Sequence, residues 1–200
     1  MFDSGGSTGI LREEFGYPPL GDLRQCLIAL SPEGDEQVAA LNSVLDFRFD
    51  FGSSLQGHSV GNLVIAALTT AYNGVQGAID ELSRMMKLDG QVVPVTLDEA
   101  HLCARLNNGQ IIRTESAIDL RGNNEPGISE VFLDSEVKAN PRAVDAIKDA
   151  DAILLGPGDL YTSVIPNLLV KDVSDAIRDT ISPVMYACNL MTKLGETAGY

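Results

Sequence analysis

The order of apolar and polar positions along the chain predicts alternating strands and helices. Ala152–Leu155 is a short aliphatic run, which is typical of a strand buried on both faces of a sheet. Two glycines and a proline at 156–158 interrupt this run, and Ile165, Leu168 and Leu169 then recur with the spacing of one helix face. We therefore predict a strand, a glycine loop and the start of a helix at this point.

The same reasoning assigns elements along the rest of the chain. Helical periodicity predicts helices, short apolar runs predict strands, and Asn107-Asn108-Gly109 predicts the turn of a β-hairpin. The predicted helices are Leu23–Leu30, Pro32–Leu45, Leu63–Tyr72, Gly77–Lys87, Pro141–Ala150 and Tyr161–Arg178. The predicted strands are Val92–Thr96, His101–Leu106, Gln110–Thr114, Ile128–Leu133, Ala152–Leu155 and Val184–Ala187.

These elements together predict an α/β protein. A single helix is predicted to join Ala152–Leu155 to Val184–Ala187, so these strands should be parallel and adjacent or nearly adjacent. No internal repeat, charge block or linker divides the elements, and we therefore expect one domain over residues 1–200.

Composition and charge exclude several classes of partner. The formal net charge is −14 and the pI is near 4.3, so a nucleic acid polymer or an anionic membrane surface would be repelled. No apolar stretch reaches the ~20 residues of a membrane span, and no signal peptide is recognisable, so we expect a cytoplasmic protein. The three cysteines are odd in number and lie among apolar residues, which favours buried free thiols.

The junction at 156–158 is a candidate anion site. Open α/β sheets bind ligands where strands end, and a helix start presents free N–H groups and the positive end of the helix dipole. Gly156 and Gly158 lie in this loop, Thr162 and Ser163 are candidate N-caps that add donors, and Asn189 follows the next predicted strand. A tight turn that binds no ligand is the alternative interpretation.

A second glycine-rich loop stands at the start of the chain. Gly5 and Gly6, followed by hydroxyl residues and Gly9, would cradle a phosphate through backbone N–H groups. Asp3 is placed to bind a metal or a sugar hydroxyl. The alternative is a flexible terminus. Because such a loop normally follows a strand, we expect that one upstream strand is absent from this chain.

Polar residues also surround the start of two predicted helices. His58 and Ser59 precede the helix at Leu63–Tyr72 and Asn62 lies in its first turn, where a histidine can hydrogen-bond a phosphate or act as an acid or base. The alternative is a helix cap with an incidental histidine. Asp22 is either an N-cap or a ligand-binding carboxylate.

Five separated motifs together resemble the gluconeogenesis factor family, whose relatives include 2-phospho-L-lactate transferase. The motifs are GGSTGILR (Gly5–Arg12), PPLGDLRQCL (Pro18–Leu27), GHSVGNL (Gly57–Leu63), LGPGDLYTSVIPNLLV (Leu155–Val170) and CNLMTKLGETAGY (Cys188–Tyr200). The resemblance implies a Rossmann-like fold with a mostly parallel sheet, helices on both faces and, in this chain, a β-hairpin insertion. It also implies a cytoplasmic homodimer that binds a nucleotide diphosphate, of the UDP-sugar type in the gluconeogenesis factor branch.

The chain departs from the family pattern at three points. A glycine-rich loop that the family carries after its first strand would lie upstream of Met1, so residues 1–200 should lack the first strand and the C-terminal elements of the domain. Ser4 stands where relatives have a second acid, which weakens a metal site built there. Asp159 stands where a serine commonly follows the Gly-Pro-Gly turn, and an acid near a phosphate repels it unless a cation intervenes.

We therefore expect a nucleotide-sugar-binding regulatory protein linked to carbon metabolism and cell shape. One alternative is a magnesium-dependent transferase, since the resemblance implies Mg²⁺ for relatives that move phospholactate from a guanosine diphosphate carrier. A second alternative is an interaction scaffold with a vestigial pocket. We expect His58 and Asn62 to bound the same cleft as the glycine loops. The residues expected to bind the ligand are Asp3, Gly5, Gly6, Asp22, His58, Asn62, Gly156, Gly158, Thr162, Ser163 and Asn189.

Overall fold

The computed structural model describes residues 9, 11, 19–52, 55–122 and 125–197. The chain divides into two compact units between Pro94 and Val95. We name them the helical unit, up to Pro94, and the sheet unit, from Val95 onward. The single domain over 1–200, without its first strand and its C-terminal elements, stays a prediction.

The described part of the helical unit includes α1 (Leu20–Ala29), α2 (Glu36–Asp46), α3 (Val60–Ala71) and α4 (Val75–Met85). Helix α3 contacts each of the other three. It approaches α2 closely because Gly61 has no side chain, and a Cβ there would clash with the carbonyl oxygen of Leu45. Fully buried side chains such as Leu27, Ile65 and Leu82 fill the core, each contributing roughly 1.5–3 kcal/mol through burial.

All four helices begin two to four residues away from their predicted starts, and the starts of α1 and α2 have clear local causes. Helix α1 starts before Asp22, so this carboxylate lies in the first turn rather than at the N-cap, where it still complements the helix dipole. Helix α2 starts at Glu36 rather than at Pro32. Asp35 sets that boundary, because its carboxylate accepts hydrogen bonds from the N–H groups of residues 37 and 38.

An antiparallel three-stranded sheet forms the first part of the sheet unit. The order is β2 (Ile111–Arg113), β1 (Leu102–Leu106) and β3 (Ile128–Leu133). The predicted hairpin is confirmed, since β1 and β2 pair antiparallel and Gly109 N–H donates to the Leu106 carbonyl at 2.8 Å. A short helix that the sequence pattern missed, α5 (Glu115–Asp119), follows β2.

The strand predicted over Val92–Thr96 is wrong, because this segment pairs with no strand in the described ranges. Pro94 lacks the N–H group that a sheet ladder requires. The carbonyl of Val95 instead accepts a hydrogen bond from Asn140 N–H at 2.8 Å. This segment is therefore a connection between elements and not a strand of a sheet.

The predicted parallel pair is confirmed. Helix α6 (Pro141–Lys148) leads into β4 (Ile153–Leu155), which pairs in parallel with β5 (Val184–Tyr186). Helices connect the two strands of this pair, and the antiparallel sheet precedes them in the chain. The predicted α/β class is therefore also confirmed.

The crossover from β4 to β5 is not the single helix that was predicted. It consists of one π-helical turn (Leu160–Val164), α7 (Ile165–Leu168) and α8 (Lys171–Asp179). Val170 interrupts the helix because it adopts an extended conformation and is fully buried in the core of the sheet unit. Since the π-helical turn begins at Leu160, Thr162 and Ser163 lie inside it and neither is an N-cap.

Two expectations about burial are corrected. β4 was predicted to be buried on both faces and β5 to be a buried strand, but the paired residues Leu154 and Met185 are 61% and 53% exposed, so the face that they share is open among the described residues. The cysteines are free as expected, yet only Cys103 is buried, and Cys26 and Cys188 are exposed. None of the described helices has the length and apolar character needed to cross a bilayer.

Helix α5 offers a matched test of the core of the sheet unit. Ile118 is fully buried in the hydrophobic cluster, whereas Leu120 at the end of the same helix is 82% exposed. We predict that Ile118→Ala lowers the free energy of unfolding by about 3 kcal/mol, because it leaves a cavity. Leu120→Ala should change it by less than about 0.5 kcal/mol. Urea denaturation measures both, and equal losses would contradict the assigned packing.

Candidate functional site

The loops that follow β4 and β5 lie against each other at the carboxyl ends of the two strands. The side-chain amide of Asn189 donates to the carbonyl of Gly158 at 3.1 Å, and Ala187 N–H donates to the Leu155 carbonyl at 2.9 Å. Gly156 has a φ of +81°, and a Cβ there would lie 3.0 Å from the Ala187 carbonyl oxygen. The structure thus brings together three of the predicted site residues.

The two hydroxyl residues of the π-helical turn face different surroundings. Ser163 is exposed and lies beside the glycine loop, since a Cβ on Gly158 would be 3.0 Å from the Cβ of Ser163. Thr162 is buried, and its hydroxyl donates to Glu196 Oε1 at 2.9 Å. Only the serine hydroxyl is therefore exposed at the loop.

Glu196 is the anion that already binds at the start of the π-helical turn. Its side chain is fully buried. Besides the hydroxyl of Thr162, its carboxylate accepts a hydrogen bond from Tyr161 N–H at 3.2 Å. Backbone N–H groups at a helical start attract negative charge, and here a carboxylate of the protein satisfies that attraction.

The ammonium group of Lys193 lies among three carboxylates, Asp119, Asp159 and Glu196, which we name the carboxylate cluster. It hydrogen-bonds Asp119 and Asp159 and lies 3.4 Å from Glu196 Oε1. Partial burial lowers the pKa of Lys193, but the hydrogen bonds to Asp119 and Asp159 outweigh it and raise that pKa well above its usual range. Lys193 therefore stays charged at every physiological pH.

Arg121 anchors the turn that carries Lys193 and Glu196. Its guanidinium is almost fully buried, and it donates to the Gly195 carbonyl at 2.8 Å and to Glu125 at 3.1 Å. Gly195 has a φ of +77°, and a Cβ there would clash with the Arg121 carbonyl oxygen. This turn is held in place by contacts that only glycine permits.

The carboxylate cluster has the donor chemistry of a divalent cation site. One oxygen from each of its three members lies within 4.8 Å of the others, and Mg²⁺ prefers such oxygen ligands. The cluster already holds a positive charge in the ammonium of Lys193. A metal ion would bind there only in exchange for that ammonium group.

Sequence reasoning missed Asp119, Lys193 and Glu196 as members of the site. Lys193 and Glu196 lie within the motif Cys188–Tyr200, and a basic side chain just after a strand end was a signal that could have been used. Asp119 lies in α5 and not in a loop after β4 or β5. It contacts Lys193, which is 74 residues away in the sequence. Only the folded chain shows that contact.

The candidate residues of the helical unit surround the start of α3, as predicted. Ser59 is the N-cap and accepts a hydrogen bond from Asn62 N–H at 3.1 Å. His58 and Asn62 are both buried, and the His58 carbonyl accepts from Phe49 N–H at 3.0 Å. The ligand roles of His58, Asn62 and Asp22, and their sharing of one cleft with the glycine loop, stay predictions. Asp3, Gly5 and Gly6 lie outside the described residues.

Comparison with known proteins identifies relatives along the whole chain. A family model described as 2-phospho-L-lactate transferase CofD matches residues 1–200. A putative gluconeogenesis factor of Nostoc sp. is 44% identical over 198 residues, which are 99% of this chain and 42% of that protein. A gluconeogenesis factor of Halalkalibacterium halodurans is 40% identical over 199 residues, which are 99% of this chain and 60% of that protein.

A crystal structure of a Bacillus halodurans protein is similar as well. It has a TM-score of 0.92 at 40% identity and covers 100% of this chain and 62% of that chain. The likeness agrees with a Rossmann-like α/β fold. The chain spans less than two thirds of the length of each of these relatives.

The ion pairs of Lys193 predict a pH-independent loss of stability on substitution. Lys193→Met should lower the free energy of unfolding by roughly 1–2 kcal/mol, because it leaves the carboxylate cluster without a counter-charge. The pKa of this lysine is higher in the folded state than its value of ~10.4 in the unfolded state. Its contribution to stability is therefore fully present below pH ~10.4 and is lost only as the pH rises through the folded-state pKa. The loss should therefore be constant between about pH 6 and 9.

Lys138→Met is the control for this prediction, since Lys138 is exposed and its ammonium group forms no ion pair within the described ranges. We expect it to change the free energy of unfolding by less than about 0.5 kcal/mol. Urea denaturation at several pH values checks both variants. An equal loss in both would mean that Lys193 acts only through the net charge of the protein.

Proposed function

The chain belongs to the 2-phospho-L-lactate transferase CofD family, among relatives of the gluconeogenesis factors, and on that basis we propose that it is a regulatory protein that binds a UDP-sugar. The observation that carries the proposal is the direct contact between the glycine loop after β4 and the Asn189 loop after β5. Open α/β sheets bind nucleotides at this edge. The link to carbon metabolism and cell shape belongs to the same proposal.

The diphosphate is assigned to the donors that the protein leaves accessible. These are the backbone of the glycine loop at Gly156 and Gly158 and the exposed hydroxyl of Ser163. Thr162 contributes indirectly, because its hydroxyl holds Glu196. With a net charge of −14, the protein must attract a diphosphate through such local donors rather than through its overall field.

Lys193 supplies the positive charge near this loop. Its ammonium pairs with Asp159, the residue that follows Gly158. That pair weakens the repulsion that Asp159 alone would exert on the phosphate, and the same ammonium group is shared with Asp119 and Glu196. The proposed site therefore combines neutral N–H and O–H donors with a fully charged lysine and needs no metal ion.

A magnesium-dependent transferase is the second candidate, and the carboxylate cluster favours it. Asp119, Asp159 and Glu196 would hold the ion, which would supply positive charge to offset the negative charge of the phosphate during transfer. For this to occur, Lys193 must leave the cluster and Glu196 must turn from its hydrogen bonds to the π-helical turn. We therefore rank the transferase second.

The homodimer implied by the family resemblance stays a prediction.

Removal of divalent metal separates the two candidates. We predict that chelation weakens UDP-sugar binding by less than roughly tenfold, about 1.4 kcal/mol, because Lys193 and the loop donors supply the positive charge. Calorimetric titration with and without chelator measures this. Abolished binding, with the same loss in Asp119→Asn, would favour the transferase. Absence of binding to both UDP- and GDP-linked compounds would favour a scaffold with a vestigial pocket.

A pair of glycine variants tests whether the loop after β4 contacts the ligand. Gly156 and Gly109 have nearly equal φ values of +81° and +85°, but a Cβ at Gly109 would have no neighbour within 4 Å. Both changes to alanine should cost roughly 1 kcal/mol of stability through strain. Only Gly156→Ala should also weaken UDP-sugar binding, by about tenfold or more, because the loop must shift away from Ala187. Equal affinities of the two variants in calorimetry would remove the loop from the site.

A further inference from the structure

A groove between α6 and α8 lies in the sheet unit and is not used by the proposed ligand site. The two helices pack against each other, and the cleft along them has a volume of about 620 Å³. Val144 and Ala176 form part of its apolar floor, and Ile181 stands fully exposed at its rim. Ile181 and the apolar floor together form the accessible apolar surface of the groove.

Carboxylates dominate the rim of this groove. Four aspartates line it, against a single lysine: Asp145, Asp172, Asp175, Asp179 and Lys148. The aspartates of α8 at 175 and 179 are paired with basic side chains of their own helix. Asp145 and Asp172 form no ion pair with any residue in the described ranges. The groove therefore presents, on each of its helices, one carboxylate that forms no ion pair within the described ranges.

The groove and the proposed ligand site are separate. None of the residues that line the groove belongs to the glycine loop, the Asn189 loop or the carboxylate cluster. The groove extends from the first turns to the last turns of the two helices, since Pro141 and Asp172 line it as well as Lys148 and Asp179. It can thus hold an elongated partner without touching the nucleotide site.

We propose that the α6–α8 groove binds a basic amphipathic helix of a partner protein. Apolar residues of that helix pack on Val144 and Ala176 and against Ile181, and its lysine or arginine side chains pair with Asp145 and Asp172. Laying an amphipathic helix into an apolar groove is a recurrent mode of recognition, and opposite charge on the rim fixes its orientation. A second copy of this chain is a poorer occupant of this groove, because the rim favours basic side chains and the chain has 14 Lys and Arg against 28 Asp and Glu.

Fluorescence anisotropy with a labelled amphipathic peptide of leucine and lysine tests the proposal on the 200-residue chain. The double variant Asp145→Asn with Asp172→Asn should weaken binding by about tenfold, since each exposed ion pair changes affinity by up to roughly fivefold. Ile181→Ser, which removes the apolar anchor without changing charge, should weaken it by about threefold or more. The same peptide with glutamate in place of lysine should not bind.

The matched control is Asp50→Asn with Asp89→Asn, which makes the same change in net charge at exposed carboxylates of the helical unit. It should change affinity by less than about twofold. An equal loss in the control, or binding of the glutamate peptide, would overturn the proposal. So would displacement of the peptide by spermidine alone at equal concentration. A groove variant that alters the sedimentation mass of the chain and leaves peptide binding unchanged would assign the groove to a second copy instead.

Discussion

The buried carboxylate of Glu196 is the contact on which the geometry of the candidate site depends. It accepts hydrogen bonds from Tyr161 N–H and the Thr162 hydroxyl, and it shares the ammonium of Lys193 with Asp119 and Asp159. A charged group without exposure to water is tolerated only when it is paired and hydrogen-bonded. Those contacts therefore fix the turn at Lys193 and Glu196 against the π-helical turn after β4.

This arrangement has a direct consequence for the charge that a ligand meets. A helical start is an anion site by default, but Glu196 occupies the N–H group and hydroxyl at this one. The donors that remain for a diphosphate are the glycine backbone and Ser163, with Lys193 as the nearby cation. The proposed binding of a diphosphate therefore depends on these local donors, because the protein as a whole carries a net charge of −14.

The sheet unit carries both of the proposed binding surfaces. Small, polar and conformationally special residues meet where β4 and β5 end, and they suit a small charged ligand. The groove between α6 and α8 has instead an apolar floor and a carboxylate rim, which suit a macromolecular partner of opposite charge. The two surfaces share no lining residue, so occupancy of one leaves the side chains of the other accessible.

Local sequence determined most of the elements because their signals act between near neighbours. The hairpin at Asn107-Asn108-Gly109, the parallel pair β4–β5 and the Ser59 cap all follow from periodicity, glycine placement or capping within a few residues. The five motifs also identified the family correctly. The same local signals placed Gly156, Gly158 and Asn189 at one sheet edge.

Only the tertiary structure decided which side chains meet across long distances in the chain. Val170 breaks the predicted crossover helix because the core buries it, and no pattern in its neighbours shows that. Lys193 and Asp119 are 74 residues apart, and Thr162 and Glu196 are 34 apart. Pairings of this kind arise from the packing of whole elements. The sequence therefore determined the candidate loops, and only the fold brought the carboxylate of Glu196 and the ammonium group of Lys193 next to them.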